Sequence, residues 1–266
     1  MTALELQRTI NAFNTAHASE NKIHDNETAR RFGFAGGLVP GVDVFAYMTH
    51  PAVAHWGRDW LERGRLSARF TKPVYDGQDV SVTGSGTAPM AVSVRHGQTV
   101  CAAGEASMGD AVAGDTDIDI PQAAQPPERP PASSESLASG TVLGTLLARC
   151  DAEEIGAYAN DVREDLALYR EDGLVHPGWL LRRANRVLAA NVVLGPWIHV
   201  ASDMRFLGLA RLGDALEVRA RSLDCYERKG HKIVDLDVLI LTGGRRPVAR
   251  IRHSAIYAPR QVTQAG

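Results

Sequence analysis

The chain has 266 residues, of which 44% are hydrophobic and 23% charged, and its formal net charge is -2. That profile predicts a folded protein with a sizeable core, and the scattered basic residues exclude a nucleic-acid footprint. Three widely spaced cysteines, Cys101, Cys150 and Cys225, exclude a disulfide framework and a paired-cysteine metal site, and they predict reduced thiols in the interior.

Residues Met1 to Gln7 have neither the basic start nor the apolar core of a secretory signal. No apolar run approaches the roughly 18 residues of a membrane span, so a cytoplasmic location with no membrane partner is expected. The first stretch with chemical content is Ser19-Glu20-Asn21-Lys22-Ile23-His24-Asp25, followed by Gly33-Phe34, Gly36-Gly37 and Val39-Pro40-Gly41. A histidine exchanges protons near neutral pH. The Pro-Gly pair marks a turn, and the helix after it would aim its unpaired N–H groups at whatever His24 faces. Ser19 reads as a cap of the turn bearing His24, Glu20 as an exposed neighbour, and Asn21 as a cap that also orients the histidine or a water. Gly36-Gly37 lacks the Lys-Ser/Thr of a phosphate loop and reads as a flexible loop over a pocket.

A helix is predicted from Val42 to Glu62, apolar on nearly every side at its start and therefore wrapped by sheet. His50 and His55 lie on it, separated by Pro51 and without a third ligand at metal-site spacing, so no metal is expected. Alternating segments follow, among them Gly77 to Val82 after Arg69-Phe70. From Ala111 to Gly140 the chain carries Asp115, Asp117 and Asp119 and then a proline-rich run. That composition neither buries a core nor continues a helix, and it predicts an extended linker. Beyond it come a helix from Trp179 to Leu194 and strands Asp214 to Cys225, Lys232 to Leu241 and Pro247 to Tyr257, joined by the hairpin turns Glu227-Arg228-Lys229-Gly230 and Thr242-Gly243-Gly244-Arg245.

The two halves echo each other. Asn21-x-x-His24-Asp25 before Val39-Pro40-Gly41 is matched by Asn160-x-x-Arg163-Glu164 before Val175-His176-Pro177-Gly178. Phe70 to Phe206 and Gly77 to Gly213 span the same interval, while Asn21 to Asn160 is three residues longer. Preserved order across these anchors indicates a duplicated unit. The expected organisation is residues 1–110, a linker over 111–140 and residues 141–266. The implied fold class is α+β, one helix enclosed by an antiparallel sheet, made twice.

These residues resemble the MaoC-like hydratase/dehydratase branch of the hotdog superfamily. Its members carry Asp-x-Asn-Pro-x-His-x-Asp, then a Gly-Phe, then an apolar-His-Gly or Pro-Gly turn before the central helix. Asn21, His24, Gly33, Phe34, Val39 and Gly41 match in the first half; Val175, Pro177, Gly178, Phe206 and Gly213 match in the second. The resemblance implies a tandem double hotdog whose two sheets are continuous, with an acyl thioester between the units. It implies reversible addition of water to a 2-enoyl thioester, with His24 as principal base and Val39, Pro40, Gly41 and Val42 as the substrate-binding turn. It further implies no cofactor beyond the coenzyme A or acyl-carrier pantetheine of the substrate.

One position departs from the pattern. Where the family has its catalytic Asp this chain has Ser19, and Lys22 replaces the motif proline. Glu20 or Asp25 would then have to supply the carboxylate. Two alternatives stay open beside hydration: thioester hydrolysis with His24 and Glu20 activating water, and a catalytically silent acyl-thioester-binding protein. Tandem duplication supplies the pairing that single hotdogs obtain by dimerising, so both a monomer and a homodimer are consistent with the sequence.

Overall fold

The computed structural model describes residues 4–16, 19–109 and 118–260. Its first half contains strand β1 (Glu5–Asn11), helices α1 (Asn26–Arg31), α2 (Gly41–Trp56) and α3 (Arg58–Arg63), and strands β2 (Gly64–Phe70), β3 (Asp79–Ser85), β4 (Met90–His96) and β5 (Thr99–Met108). The second half contains β6 (Val142–Arg149), α4 (Ala152–Asp161), α5 (Leu168–Glu171), α6 (Pro177–Asn191), β7 (Ile198–Phe206), β8 (Ala215–Arg228), β9 (His231–Thr242) and β10 (Arg246–Ala258).

All ten strands form one antiparallel sheet in the order β1-β3-β4-β5-β2-β7-β10-β9-β8-β6. Read outward from its centre, the order is the same twice, which is the duplication made visible. The halves join where β2 pairs with β7, with Leu66 opposite Met204 and Ala68 opposite Ser202. Period-two patterning places the core: Val80 and Val82 on β3, Met90, Val92 and Val94 on β4, and Leu216, Val218 and Ala220 on β8 point inward while their neighbours do not. The β8–β9 connection is a two-residue turn in which Lys229 and Gly230 both take positive φ, as such a hairpin requires.

Helix α2 packs across β2, β3, β4 and β5, and α6 against β6, β8 and β10. Nearly every side chain of α2 from Val42 to Val53 is buried, so its apolar composition fits a helix with no solvent face. The predicted single helix from Val42 to Glu62 is corrected to two, because Gly57 takes φ 63 and breaks the run. The proline-rich segment also departs from expectation. Ile120 is buried against Leu239 and Leu241, Leu137 lies in the main core, and Ala132 N–H and Val193 N–H bond to Val193 O and Pro130 O. From 118 onward it is a strap fixed across the second half, with Asp119 paired to Arg221 and Arg250; Asp115 and Asp117 lie outside the described residues.

The two central helices touch each other, and Gly178 makes that possible. A Cβ there would collide with the Tyr158 hydroxyl and stand 2.5 Å from Ala46 Cβ on α2. Gly178→Ala is therefore expected to lower the unfolding free energy by about 1–3 kcal/mol, the usual cost of overpacking, as read by urea denaturation. An unchanged midpoint would show that the helices part without cost.

Candidate active site

A short 3-10 turn, Lys22–His24, carries the histidine, and Asn21 opens it. The Asn21 side chain is fully used: Oδ1 accepts from Ile23 N and Trp197 N, and Nδ2 donates to Trp197 O at 2.9 Å. Asn21 thus ties the turn to the second half. Ser19 Oγ accepts from Asn21 N at 3.1 Å, and Asp25 Oδ1 accepts from Glu27 N and Thr28 N at the start of α1. Both act on backbone, as small oxygen side chains before a helical turn do.

His24 Nδ1 lies 2.7 Å from Leu38 O. A carbonyl only accepts, so Nδ1 bears the ring proton and Nε2 bears the lone pair. The neighbour of Nε2 is a donor, Asn21 Nδ2 at 3.3 Å, which agrees with that tautomer. Burial lowers the His24 pKa below its ordinary value, Leu38 O and Asp43 oppose the shift, and Arg182 adds to it. The ring is a neutral base at pH 7. Gly37 packs on this turn: a Cβ at Gly37 would run into the His24 carbonyl, and its N–H donates to Asn26 Oδ1 at 2.8 Å. The Gly36-Gly37 pair is consequently not a loose cover, because close approach and not mobility is what requires Gly37.

The next turn brings the helix start. Val39 N–H bonds to Val74 O, Pro40 caps α2 without a side-chain bond, and no partner is found for the Gly41 or Val42 N–H among the described residues. Those are donors at the positive end of a 16-residue helix. Gly41 lies against His199 of β7, where a Cβ would stand 2.8 Å from Nδ1. His199 stacks on His253, and Ser202 Oγ bridges the rings at 2.8 and 3.0 Å. Burial pushes His199 well below its ordinary value and His253 down to about 3, so both rings are neutral walls.

Two chambers meet at His24. One, of about 280 Å³, is walled by apolar side chains including Ile23, Phe34, Val44, Phe70 and Ile256, together with Val39, Pro40 and Gly41. The other, of about 350 Å³, is lined by Ser19, Glu20, Val42, Arg129 and Arg186 among others. Asn21, His24, Pro40, Asn185 and Trp197 belong to both. A neutral imidazole, orphan helix N–H groups and an apolar pocket thus converge on one channel, an arrangement suited to proton transfer beside a polarised carbonyl.

The predicted site residues are placed unevenly. His24, Asn21, Val39, Pro40, Gly41 and Val42 come together. Ser19 acts on the Asn21 backbone, and Asp25 is committed to α1. Glu20 lines the second chamber with its carboxylate exposed, 3.5 Å from Arg129. The buried carboxylate that bears on His24 is Asp43, in the first turn of α2, held by Arg182 of α6 at 2.9 Å and by Thr15 Oγ1 at 2.5 Å. Asp43, Arg182, Asn185 and His199 were not legible as site residues, since three of them come from the other half and no motif spacing marks them.

In the second half the corresponding place is filled. Arg163 stands where His24 would, takes φ 58, donates to Asn11 O and lies over the Phe13 ring. His176 caps α6 by accepting from Gly178 N and contacts Glu164 at 3.4 Å, while His50 contacts the same carboxylate at 2.9 Å. Burial raises the Glu164 pKa, but His176 and His50 outweigh it and hold the carboxyl far below its ordinary range. His50, Glu164 and Asp165 sit close enough for a metal, yet Arg8 Nη1 lies 2.6 Å from His50 Nδ1 and 3.4 Å from Asp165, so a guanidinium already takes the cation's place. No helix among the described residues is long and apolar enough to cross a membrane.

No protein-family model and no curated protein matches this chain. Solved structures do. The double-hotdog protein Rv0216 of Mycobacterium tuberculosis superposes with a TM-score of 0.64 at 14% identity, covering 96% of this chain and 95% of that one. A protein assigned as a MaoC-domain dehydratase from Chloroflexus aurantiacus gives 0.64 at 12% identity, covering 97% and 95%. A protein assigned as an oleoyl thioesterase from Lactobacillus plantarum gives 0.55 at 11% identity, covering 97% and 98%. This chain shares their fold: it is a double hotdog, α+β with one continuous sheet, as the resemblance implied.

Proposed function

We propose that this double hotdog is an acyl-thioester enzyme of the MaoC-like kind, adding water reversibly to a 2-enoyl thioester carried on a pantetheine arm. The observation that carries the reading is the His24 tautomer. With its proton committed to Leu38 O, the ring offers a lone pair at Nε2, in a channel that also holds the unpartnered N–H groups of the α2 start. In this reading Nε2 takes a proton from water as the water oxygen bonds to the β-carbon. The alkene electrons move onto the thioester oxygen, where the Gly41 N–H stabilises the charge. The imidazolium then returns the proton to the α-carbon, restoring the carbonyl and the neutral ring. One group serves as base and then acid, so Ser19 in place of the family's Asp leaves the sequence of steps complete. Asp43 favours the transient imidazolium by raising the His24 pKa against burial.

The apolar chamber suits the acyl group, and the arginine-lined one suits the anionic end of the carrier. Mixing the purified protein with a short trans-2-enoyl-CoA is expected to bleach the enoyl absorbance without freeing thiol. Thiol release in its place would replace hydration by hydrolysis, and binding with neither reaction would make the protein a catalytically silent acyl-thioester-binding protein.

A further inference from the structure

Asn185 sits on α6, in the wall of both chambers, beside Asn21, His24, Pro40 and Trp197. Its Oδ1 is buried without a hydrogen-bond partner, and its amide nitrogen has none among the described residues either. The other asparagines near it behave differently. Asn191, two turns further along α6, accepts from Gly144 N and donates to Gly144 O and Val187 O. Asn21 uses both ends of its amide, as described above. A buried amide oxygen left without a partner costs stability, because it gave up water for nothing.

We propose that Asn185 is a substrate-binding residue supplied by the second half. Its Nδ2 donates to the thioester oxygen alongside the Gly41 N–H, and so sets the β-carbon against His24 Nε2. The assignment rests on the acyl-thioester reading and gives it a substrate contact from each half: the base and one donor from the first hotdog, the second donor from the other.

The test is Asn185→Leu, which keeps the approximate volume and removes both polar atoms, with Asn185→Asp as a second, nearly isosteric variant. Loss of one donor to a developing oxyanion is expected to lower kcat/KM by about 10²-fold. Because nothing among the described residues bonds to the amide, the melting temperature of Asn185→Leu should be equal to or above that of the unaltered protein. The carbonyl carbon of a 13C-labelled saturated acyl-CoA, bound but unable to react, should move toward its free chemical shift in both variants. A merely structural asparagine would give the opposite pattern, with lower melting temperature and an unmoved carbonyl. Full kcat/KM and an unmoved carbonyl in Asn185→Leu overturn the assignment alone. Failure of the unaltered protein to bind any acyl-CoA overturns the acyl-thioester reading and the assignment with it.

Discussion

His24→Ala is expected to reduce enoyl-thioester hydration by about 10²–10⁴-fold, the usual consequence of removing a positioned proton carrier. The loss should fall in kcat with little change in KM, because the ring contributes a base to the reaction and only one edge to a channel that many other residues wall. The pH profile supplies the sign. Activity requires the unprotonated ring, and burial holds the His24 pKa below its ordinary value. The rate should therefore rise with pH at values below 6.5 and be level through neutrality. Replacing Leu38 cannot mimic this effect, because its contribution is a backbone carbonyl. A His24→Ala enzyme with unaltered kcat, or a limb rising only above pH 8, would remove His24 from the reaction.

What was legible in the sequence follows from how local each feature is. Pro40-Gly41 and Pro177-Gly178 announce their own helices, since a turn and the helix it starts are adjacent in the chain, and period-two patterning located β8, β9 and β10 to within a few residues. Their repetition in order carried the double hotdog, which needs no knowledge of individual contacts. The helix break at Gly57 was not legible, because glycine is tolerated inside helices as well as at their ends and only the positive φ distinguishes the two. The strap over 118–141 was misjudged for a related reason: its composition disfavours regular structure, but two apolar residues, Ile120 and Leu137, suffice to fix an irregular segment on a sheet. At the site, His24 stood out by motif and its tautomer did not. The tautomer is decided by Leu38 O, fourteen residues away and brought back by the close approach at Gly37. Glu20 and Asp43 show the same limit from opposite sides. Glu20, beside the motif position, is exposed and reaches Arg129, while a carboxylate with no motif around it is buried in the first turn of α2 against Arg182 of the other half.

That buried pair is where the largest effect on stability is expected. Arg182 grips both oxygens of Asp43, contacts Thr15 Oγ1 and lies over the Tyr158 ring at 4.2 Å, so one guanidinium joins α2, the N-terminal segment and two helices of the second half. Arg182→Met would leave the fully buried Asp43 without its counter-charge, and breaking a buried pair from one side costs about 3–5 kcal/mol. Burial pushes the Asp43 carboxyl above its ordinary range, and Arg182 and Thr15 are what pull it back. Without Arg182 its folded pKa rises further above the unfolded value, so the folded state binds the extra proton and the deficit should shrink as pH falls and grow as pH rises. Asp43→Asn in the Arg182→Met background should recover most of the lost stability, since it removes the stranded charge and keeps the shape. Urea unfolding of the two variants at pH 5 and pH 8 checks both claims: a deficit independent of pH, or no recovery in the double variant, would mean that Arg182 acts by packing on Tyr158 and not by charge. The pair also bears on catalysis through geometry. Asp43 lies two residues after Gly41, so a relaxed first turn of α2 would misalign the orphan N–H groups, and the Arg182→Met enzyme should lose kcat even at temperatures where it remains folded.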